Sequence, residues 1–105
     1  MEISQEIRDI AEVIRQAVPA EQIYLFGSYA YGEPNEHSDY DFYVVIPDGS
    51  MRPIEAMQRA QGAIYSPQRK TRMPVDVLAT TKSDFEKMKS LLSLERTVHR
   101  KGILL

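Results

Sequence analysis

The chain has no cysteine, and its 105 residues contain no long apolar run. Without cysteine, a disulfide framework, a thiolate zinc site and a cysteine nucleophile are excluded, which suits a reducing compartment. The apolar runs are too short to cross a membrane, and the acidic start at residues 1–6 is unlike a basic secretory signal. These absences predict a cytoplasmic protein that does not enter a membrane.

The chain also lacks an excess of charge of either sign. Its formal net charge is -2 and its pI is about 5.7, so there is no general attraction to a polyanion. No basic stripe separates the tyrosines, and direct nucleic-acid binding is therefore not expected. With 43% hydrophobic residues, 105 residues suffice for one core, so we predict a single domain over 1–105.

Apolar periodicity predicts the order helix, strand, strand, helix, strand, helix, strand. The predicted helices are 3–18, 51–65 and 83–101, the predicted strands are 22–26, 39–46, 74–80 and 103–105, and a helical turn at 28–31 ends at Gly32. Ser50 and Ser83 are the predicted N-caps of the second and third helices. The predicted buried positions of the third helix are Phe85, Met88, Leu91 or Leu92, Leu94 and Val98. The fold class is α/β or α+β, with a small mixed sheet flanked by helices.

Two aspartates interrupt the second predicted strand. Asp39 and Asp41 are two residues apart, so in a strand they point to the same face. Two unpaired carboxylates in an apolar stretch cost free energy through desolvation and mutual repulsion, and a bound cation offsets that cost. Hard oxygen ligands suit Mg²⁺, which completes its shell with water and phosphate oxygens. The pair therefore predicts a magnesium site that serves a nucleotide.

A third aspartate lies between two valines in the third predicted strand. If that strand neighbours the second, Asp76 brings one more carboxylate to Asp39 and Asp41. Three acids can hold two metal ions, as in enzymes that catalyse in-line displacement at phosphorus. Asp39 and Asp41 would bridge both ions, and Asp76 would bind the ion nearest the nucleophile. The alternative is that Asp76 only faces solvent at a sheet edge.

Gly27 and Ser28 follow the first predicted strand and open the helical turn. A glycine at a strand-to-helix turn lets backbone amides approach an anion that a Cβ would exclude, and the serine hydroxyl is one more donor. The alternative for Ser28 is an ordinary helix cap. The basic residues Arg69, Lys70 and Arg72 are further candidates for phosphate contact, or form a solvated loop.

Together these residues resemble the signature of the DNA polymerase beta-like nucleotidyltransferases, and most closely that of their smallest members, the minimal nucleotidyltransferase (MNT) proteins. The resemblance rests on Gly27-Ser28, ten intervening residues, Asp39-Tyr40-Asp41 and the later Asp76. It implies that these three aspartates bind Mg²⁺ and that the Gly-Ser pair contacts the triphosphate of ATP. MNT proteins commonly act as antitoxins of helical HEPN ribonuclease toxins, and some attach AMP to a toxin tyrosine. The implied function is therefore a protein adenylyltransferase that acts as an antitoxin.

One position departs from the family pattern. Where the family usually has an arginine before the second glycine, this chain has Tyr31 followed by Gly32. A phenol cannot neutralise phosphate charge as a guanidinium does. Two alternative functions stay open: a non-catalytic module that binds a toxin, and the catalytic subunit of a transferase for a small molecule such as an aminoglycoside.

Overall fold

A computed structural model describes residues 3–32, 39–66 and 74–105. The helices are α1 (Gln5–Ala17), α2 (Ser28–Tyr31), α3 (Pro53–Ile64), α4 (Lys82–Met88) and α5 (Leu94–Lys101), and the strands are β1 (Gln22–Phe26), β2 (Tyr40–Ile46), β3 (Val75–Thr81) and β4 (Ile103–Leu104). The strands form one sheet in the order β3-β2-β1-β4. β2 and β3 are parallel, whereas β1 is antiparallel to both β2 and β4. The predicted small mixed sheet flanked by helices is confirmed.

Each face of the sheet has its own core because strand side chains alternate. On one face, Leu25, Phe42 and Val77 pack with residues of α1 and α3. On the other face, Tyr24, Tyr43 and Val45 pack with Phe85 of α4 and Val98 of α5. The second core is much smaller, and the acidic residues described below share its face.

The first helix follows its sequence pattern closely. Ser4 is the N-cap, and its side chain accepts a hydrogen bond from the Ile7 amide at 3.3 Å. Ile7, Ile10 and Ile14 are buried on the side that faces the sheet. Among the described residues, no helix is long and apolar enough to cross a membrane.

The predicted N-cap at Ser50 is wrong. Its hydroxyl donates to the carbonyl of Pro47 at 2.6 Å, so it belongs to the preceding turn. Arg52 occupies the N-cap of α3 without a side-chain hydrogen bond, and the helix begins at Pro53, which therefore lies in the first turn as predicted.

The single helix predicted over 83–101 is wrong, because the structure has two helices, α4 and α5, with a break between them. Thr81, not Ser83, is the N-cap of α4, and its side chain accepts from the Asp84 amide. Ser93 is the N-cap of α5: its hydroxyl accepts from the Arg96 amide at 3.2 Å and donates to the Met88 carbonyl at 2.7 Å. These local bonds compete with continuous helix.

The break also changes which apolar side chains are buried. Phe85 and Val98 are buried as predicted, whereas Leu91, Leu92 and Leu94 are exposed. The exposed fraction of Leu92 is 93%. The prediction that these leucines form part of a buried stripe is therefore wrong, because a continuous helix would be needed to align them.

Candidate functional site

Two of the predicted acids are strand neighbours near the beginnings of β2 and of the edge strand β3, where Asp76 is exposed. The register pairs Asp41 of β2 with Asp76 of β3, and Asp41 with Phe26 at the end of β1 on its other side. The flanking residues Phe42 and Val77 are buried against α1 and α3. By alternation, the carboxylates of Asp41 and Asp76 point to the opposite face of the sheet. The condition under which Asp76 joins the first acids, adjacency of the two strands, is met.

Asp39 lies immediately before β2 and is partly buried. The strand begins at Tyr40, one residue later than predicted. Asp39 is nevertheless close enough to act electrostatically on Asp41, as the pKa of Asp41 indicates. All three predicted acids therefore belong to one electrostatic cluster.

Within this cluster, the pKa of the Asp41 carboxyl group is shifted. Burial, followed by repulsion from Asp76 and Asp39, raises its pKa from 3.8 to about 6. All three causes oppose the charged form of the carboxyl group. At neutral pH Asp41 is therefore ionised although burial and the neighbouring carboxylates destabilise its charge. A bound cation would reduce this destabilisation.

Gly27 touches the acidic cluster through its backbone. Its φ of 78° and ψ of -159° belong to a region that is essentially restricted to glycine. A Cβ added at Gly27 would overlap Oδ2 of Asp41 and lie 3.2 Å from its Cγ. The glycine is therefore required by the approach of Asp41 itself, a reason that the sequence pattern did not reveal.

Ser28 is the first residue of the short helix α2, directly after Gly27. The N-cap is Gly27, which has no side chain, so the alternative of Ser28 as the helix cap is wrong. The amides of Ala30 and Tyr31 bond to the Gly27 carbonyl at 3.0 and 3.1 Å. Gly32 then ends the helix in the left-handed conformation. The predicted helical turn is confirmed, and it begins two residues after Phe26, the end of β1 that pairs with Asp41.

The carboxylate oxygens of the three aspartates are the candidate ligands for a divalent cation. Among residues 3–32, 39–66 and 74–105, no group of three or more His, Cys, Asp or Glu side chains is arranged as a metal site. Mg²⁺, however, commonly takes only one or two protein carboxylates, with substrate phosphates and water as its other ligands. The neighbouring pair Asp41 and Asp76 supplies that number of hard oxygen donors, with Asp39 nearby. The residues fit Mg²⁺, and the arrangement with two ions stays a prediction.

Two residues beside the acids have no signature in the sequence. Tyr65 and Gln61, at the end of α3, make hydrogen bonds to the backbone of Val75, the neighbour of Asp76. A further contact ties α5 to the same face, since the Tyr43 hydroxyl donates to Glu95 at 2.8 Å. Because that bond joins residues 52 positions apart, no local sequence pattern predicts it.

The remaining sequence predictions concern three basic residues and Tyr31. Arg69, Lys70 and Arg72 lie outside the described residues, so the prediction that they contact phosphate stays a prediction. Tyr31, at the position of the family arginine, is 40% exposed.

The structure and the sequence were compared with those of known proteins. The structure is similar to the crystal structure of a candidate nucleotidyltransferase from Sulfolobus solfataricus, with a TM-score of 0.62 and 20% sequence identity. The match covers 95% of this chain and 76% of the other. At that identity the likeness establishes the fold alone. A search of curated protein sequences found no match.

The family comparison covers almost the whole chain. Nucleotidyltransferase domains generally use a nucleoside triphosphate and a divalent metal ion. The neighbouring carboxylates are suitable ligands for such an ion. The sequence profile of the nucleotidyltransferase domain matches residues 7–105, and the chain therefore belongs to the nucleotidyltransferase domain family.

Proposed function

We propose that this protein is a Mg²⁺-dependent adenylyltransferase that transfers AMP from ATP to a hydroxyl group of a partner protein. The observation that carries the proposal is the row formed by Asp41 and Asp76, against which the Gly27 backbone is packed. Asp39, Asp41 and Asp76 would hold the magnesium, and Gly27 and Ser28 would contact the triphosphate. The cation supplies charge neutralisation of the phosphates when it is bound.

The chain's own residues position the substrates. The glycine brings the start of α2 against Asp41, so a triphosphate bound at Gly27 and Ser28 would lie at the same end of the sheet as the acids. In the reaction, an acceptor oxygen forms a bond to the α-phosphorus, the bond from that phosphorus to the bridging oxygen breaks, and pyrophosphate leaves. The acceptor hydroxyl releases its proton to solvent. Catalysis of this kind rests mainly on positioning and charge neutralisation.

We further propose that the acceptor is a tyrosine of a HEPN-type toxin and that the protein is its antitoxin. The resemblance to MNT proteins supports this proposal. Leu91 and Leu92, in the α4–α5 break, and Leu94, the first residue of α5, are exposed and close together in the sequence. Clustered exposed apolar side chains of this kind are frequent at protein interfaces.

The test uses the purified chain, Mg²⁺, labelled ATP and a purified HEPN-type toxin. The proposal expects the mass of that protein to rise by whole adenylates, and expects Asp41→Asn to abolish the increase. Asp9→Asn is the matched control, because Asp9 is an exposed carboxylate on α1. No adenylate on the HEPN protein with the wild-type enzyme would refute the acceptor assignment.

A non-catalytic toxin-binding module is the second candidate. It is favoured by the absence of any basic residue in the last turn of α2, where Tyr31 stands. If Asp41→Asn neutralises the toxin as well as the wild type does, this second candidate is correct. Label that appears only on added aminoglycosides would instead indicate a small-molecule transferase.

A further inference from the structure

β3 lies at one edge of the described sheet, with β2 as its strand neighbour. An edge strand leaves the backbone groups on its outer side without a strand partner. At the beginning of β3, these groups belong to Val75, the residue immediately before Asp76. How the Val75 peptide is held therefore influences where the third carboxylate lies.

Two side chains from the end of α3 bind the Val75 backbone. The Tyr65 hydroxyl accepts the Val75 N–H at 2.7 Å and donates to its carbonyl at 3.3 Å. Nε2 of Gln61 donates to the same carbonyl at 3.1 Å. Both outward-facing backbone groups of Val75 are thereby satisfied by side chains rather than by another strand.

The inner side of the same segment is fixed to the strand that carries the other acids. The Tyr40 amide donates to the Pro74 carbonyl at 3.0 Å, and Tyr40 stands between Asp39 and Asp41. The segment that leads into Asp76 is therefore held on both sides, by β2 and by α3. These bonds on both sides hold the backbone directly before Asp76, the residue that pairs with Asp41.

Gln61 satisfies the Val75 carbonyl at a cost. Within the described part of the chain, its Oε1 is buried without a hydrogen-bond partner. An orphaned buried acceptor is unfavourable, and an apolar side chain of similar shape would avoid it. The orphaned oxygen indicates that the donor function of the amide is needed at this position.

We propose that Tyr65 and Gln61 are positioning residues that fix the Val75 peptide and so hold the Asp76 carboxylate opposite Asp41 for a divalent cation. This inference rests on the proposed function, because it concerns the same acidic site. The two residues act through the backbone and do not touch the cation. Their loss alters the geometry of the pair and therefore the affinity for the metal.

The experiment measures Mn²⁺ binding to the full chain from the electron paramagnetic resonance signal of the free ion, without nucleotide. Tyr65→Phe keeps the ring and removes only the hydroxyl. We expect Mn²⁺ to bind this variant about three- to tenfold more weakly, because the Val75 N–H loses its bond while the carbonyl keeps Gln61, a loss of about one net hydrogen bond. Gln61→Met changes affinity in the same direction. The double variant loses more than the product of the two factors, because each single variant still leaves one donor on the Val75 carbonyl.

Ser93→Ala is the control for a purely structural effect. It removes the N-cap of α5 and lowers Tm without touching β3, so its Mn²⁺ affinity is expected to equal that of the wild type. Amide exchange at Val75 is the second readout, and it is expected to accelerate in Tyr65→Phe but not in Ser93→Ala.

The outcomes separate this inference from the proposed function. If the wild type binds Mn²⁺ and Tyr65→Phe binds it equally well, the positioning role is refuted while the metal site stands. If all variants weaken binding in proportion to their loss of Tm, the effect is structural and the inference is again refuted. A wild type that binds no Mn²⁺ refutes this inference, whereas the proposed function is decided separately by the adenylate-transfer assay.

Discussion

Replacement of Asp41 by asparagine is expected to make the protein more stable while abolishing transfer. In the folded protein, burial and the neighbouring Asp76 and Asp39 disfavour the ionised form of Asp41. An amide of nearly the same shape removes the charge and therefore the repulsion. The residue that we place at the centre of the site is thus one that reduces the stability of the metal-free fold.

The magnitude follows from the pKa. A rise from 3.8 to about 6 corresponds to about 3 kcal/mol if the whole shift is counted. Because Asp41 is still partly exposed, solvent screening reduces this figure, and we expect a gain of about 1–2 kcal/mol at pH 8. For a domain of this size, that gain raises Tm by roughly 5–10 °C.

The gain has a defined pH dependence. Between about pH 4 and pH 6, the folded protein retains a proton on Asp41 that the unfolded chain has lost. The stability of the wild type relative to Asp41→Asn therefore falls as the pH rises through this window, and it is constant above it. Below pH 4 the carboxyl is protonated in both states, so the advantage of the variant disappears.

Thermal and urea unfolding of both proteins from pH 3.5 to 8, in EDTA, measures the difference directly. Asp9→Asn, on an exposed position of α1, is expected to stay within about 0.5 kcal/mol of the wild type. Saturating Mg²⁺ stabilises the wild type and narrows the gap, because only the wild type retains the full donor set. An asparagine variant that is less stable at pH 8, or a difference that does not change with pH, would refute the reasoning.

Three further predictions concern the surroundings of the acids. Gly27→Ala is expected to lower the free energy of unfolding in urea by about 2–4 kcal/mol, because alanine is strained at this φ and ψ and its Cβ overlaps the Asp41 carboxylate. The same substitution costs less in an Asp41→Ala background, and an equal cost in both backgrounds would show that the contact is unimportant. Tyr43→Phe loses the bond to Glu95 and is expected to cost about 1–2 kcal/mol. Burial and Glu95 also raise the pKa of Tyr43, so stability above pH 10 falls less steeply in this variant than in the wild type, and equal slopes would contradict that assignment. Tyr31→Arg restores the family cation at an exposed position and is expected to tighten ATP binding about tenfold in a fluorescent-nucleotide competition assay, with unchanged Tm; unchanged affinity would show that the triphosphate does not reach α2.

The sequence by itself determined the strands, the first helix and the face on which each acid lies. Alternation in the second and third strands placed Asp41 and Asp76 opposite the buried Phe42 and Val77, since the two-residue period of a strand leaves no other choice. The turn after β1 was likewise evident from Gly27 and Gly32, which both adopt positive φ. These features depend on neighbours within a few residues.

Local pattern failed where competing local bonds or distant partners decide the outcome. The continuous helix predicted over 83–101 is divided because Ser93 bonds to the Met88 carbonyl and caps a new helix. The exposure of Leu92 follows from that division. Apolar periodicity describes only which positions repeat, and it continues across a break without showing it.

Only the tertiary structure decided which strands are neighbours and in which register. The parallel pairing of β2 with β3 sets Asp41 beside Asp76, and no residue pattern within either strand specifies that alignment. The raised pKa of Asp41, its contact with Gly27 and the hold of Tyr65 on Val75 all follow from the packing. Burial, repulsion and hydrogen bonding act over distances in space, so residues that are far apart in the chain determine the chemistry of this site.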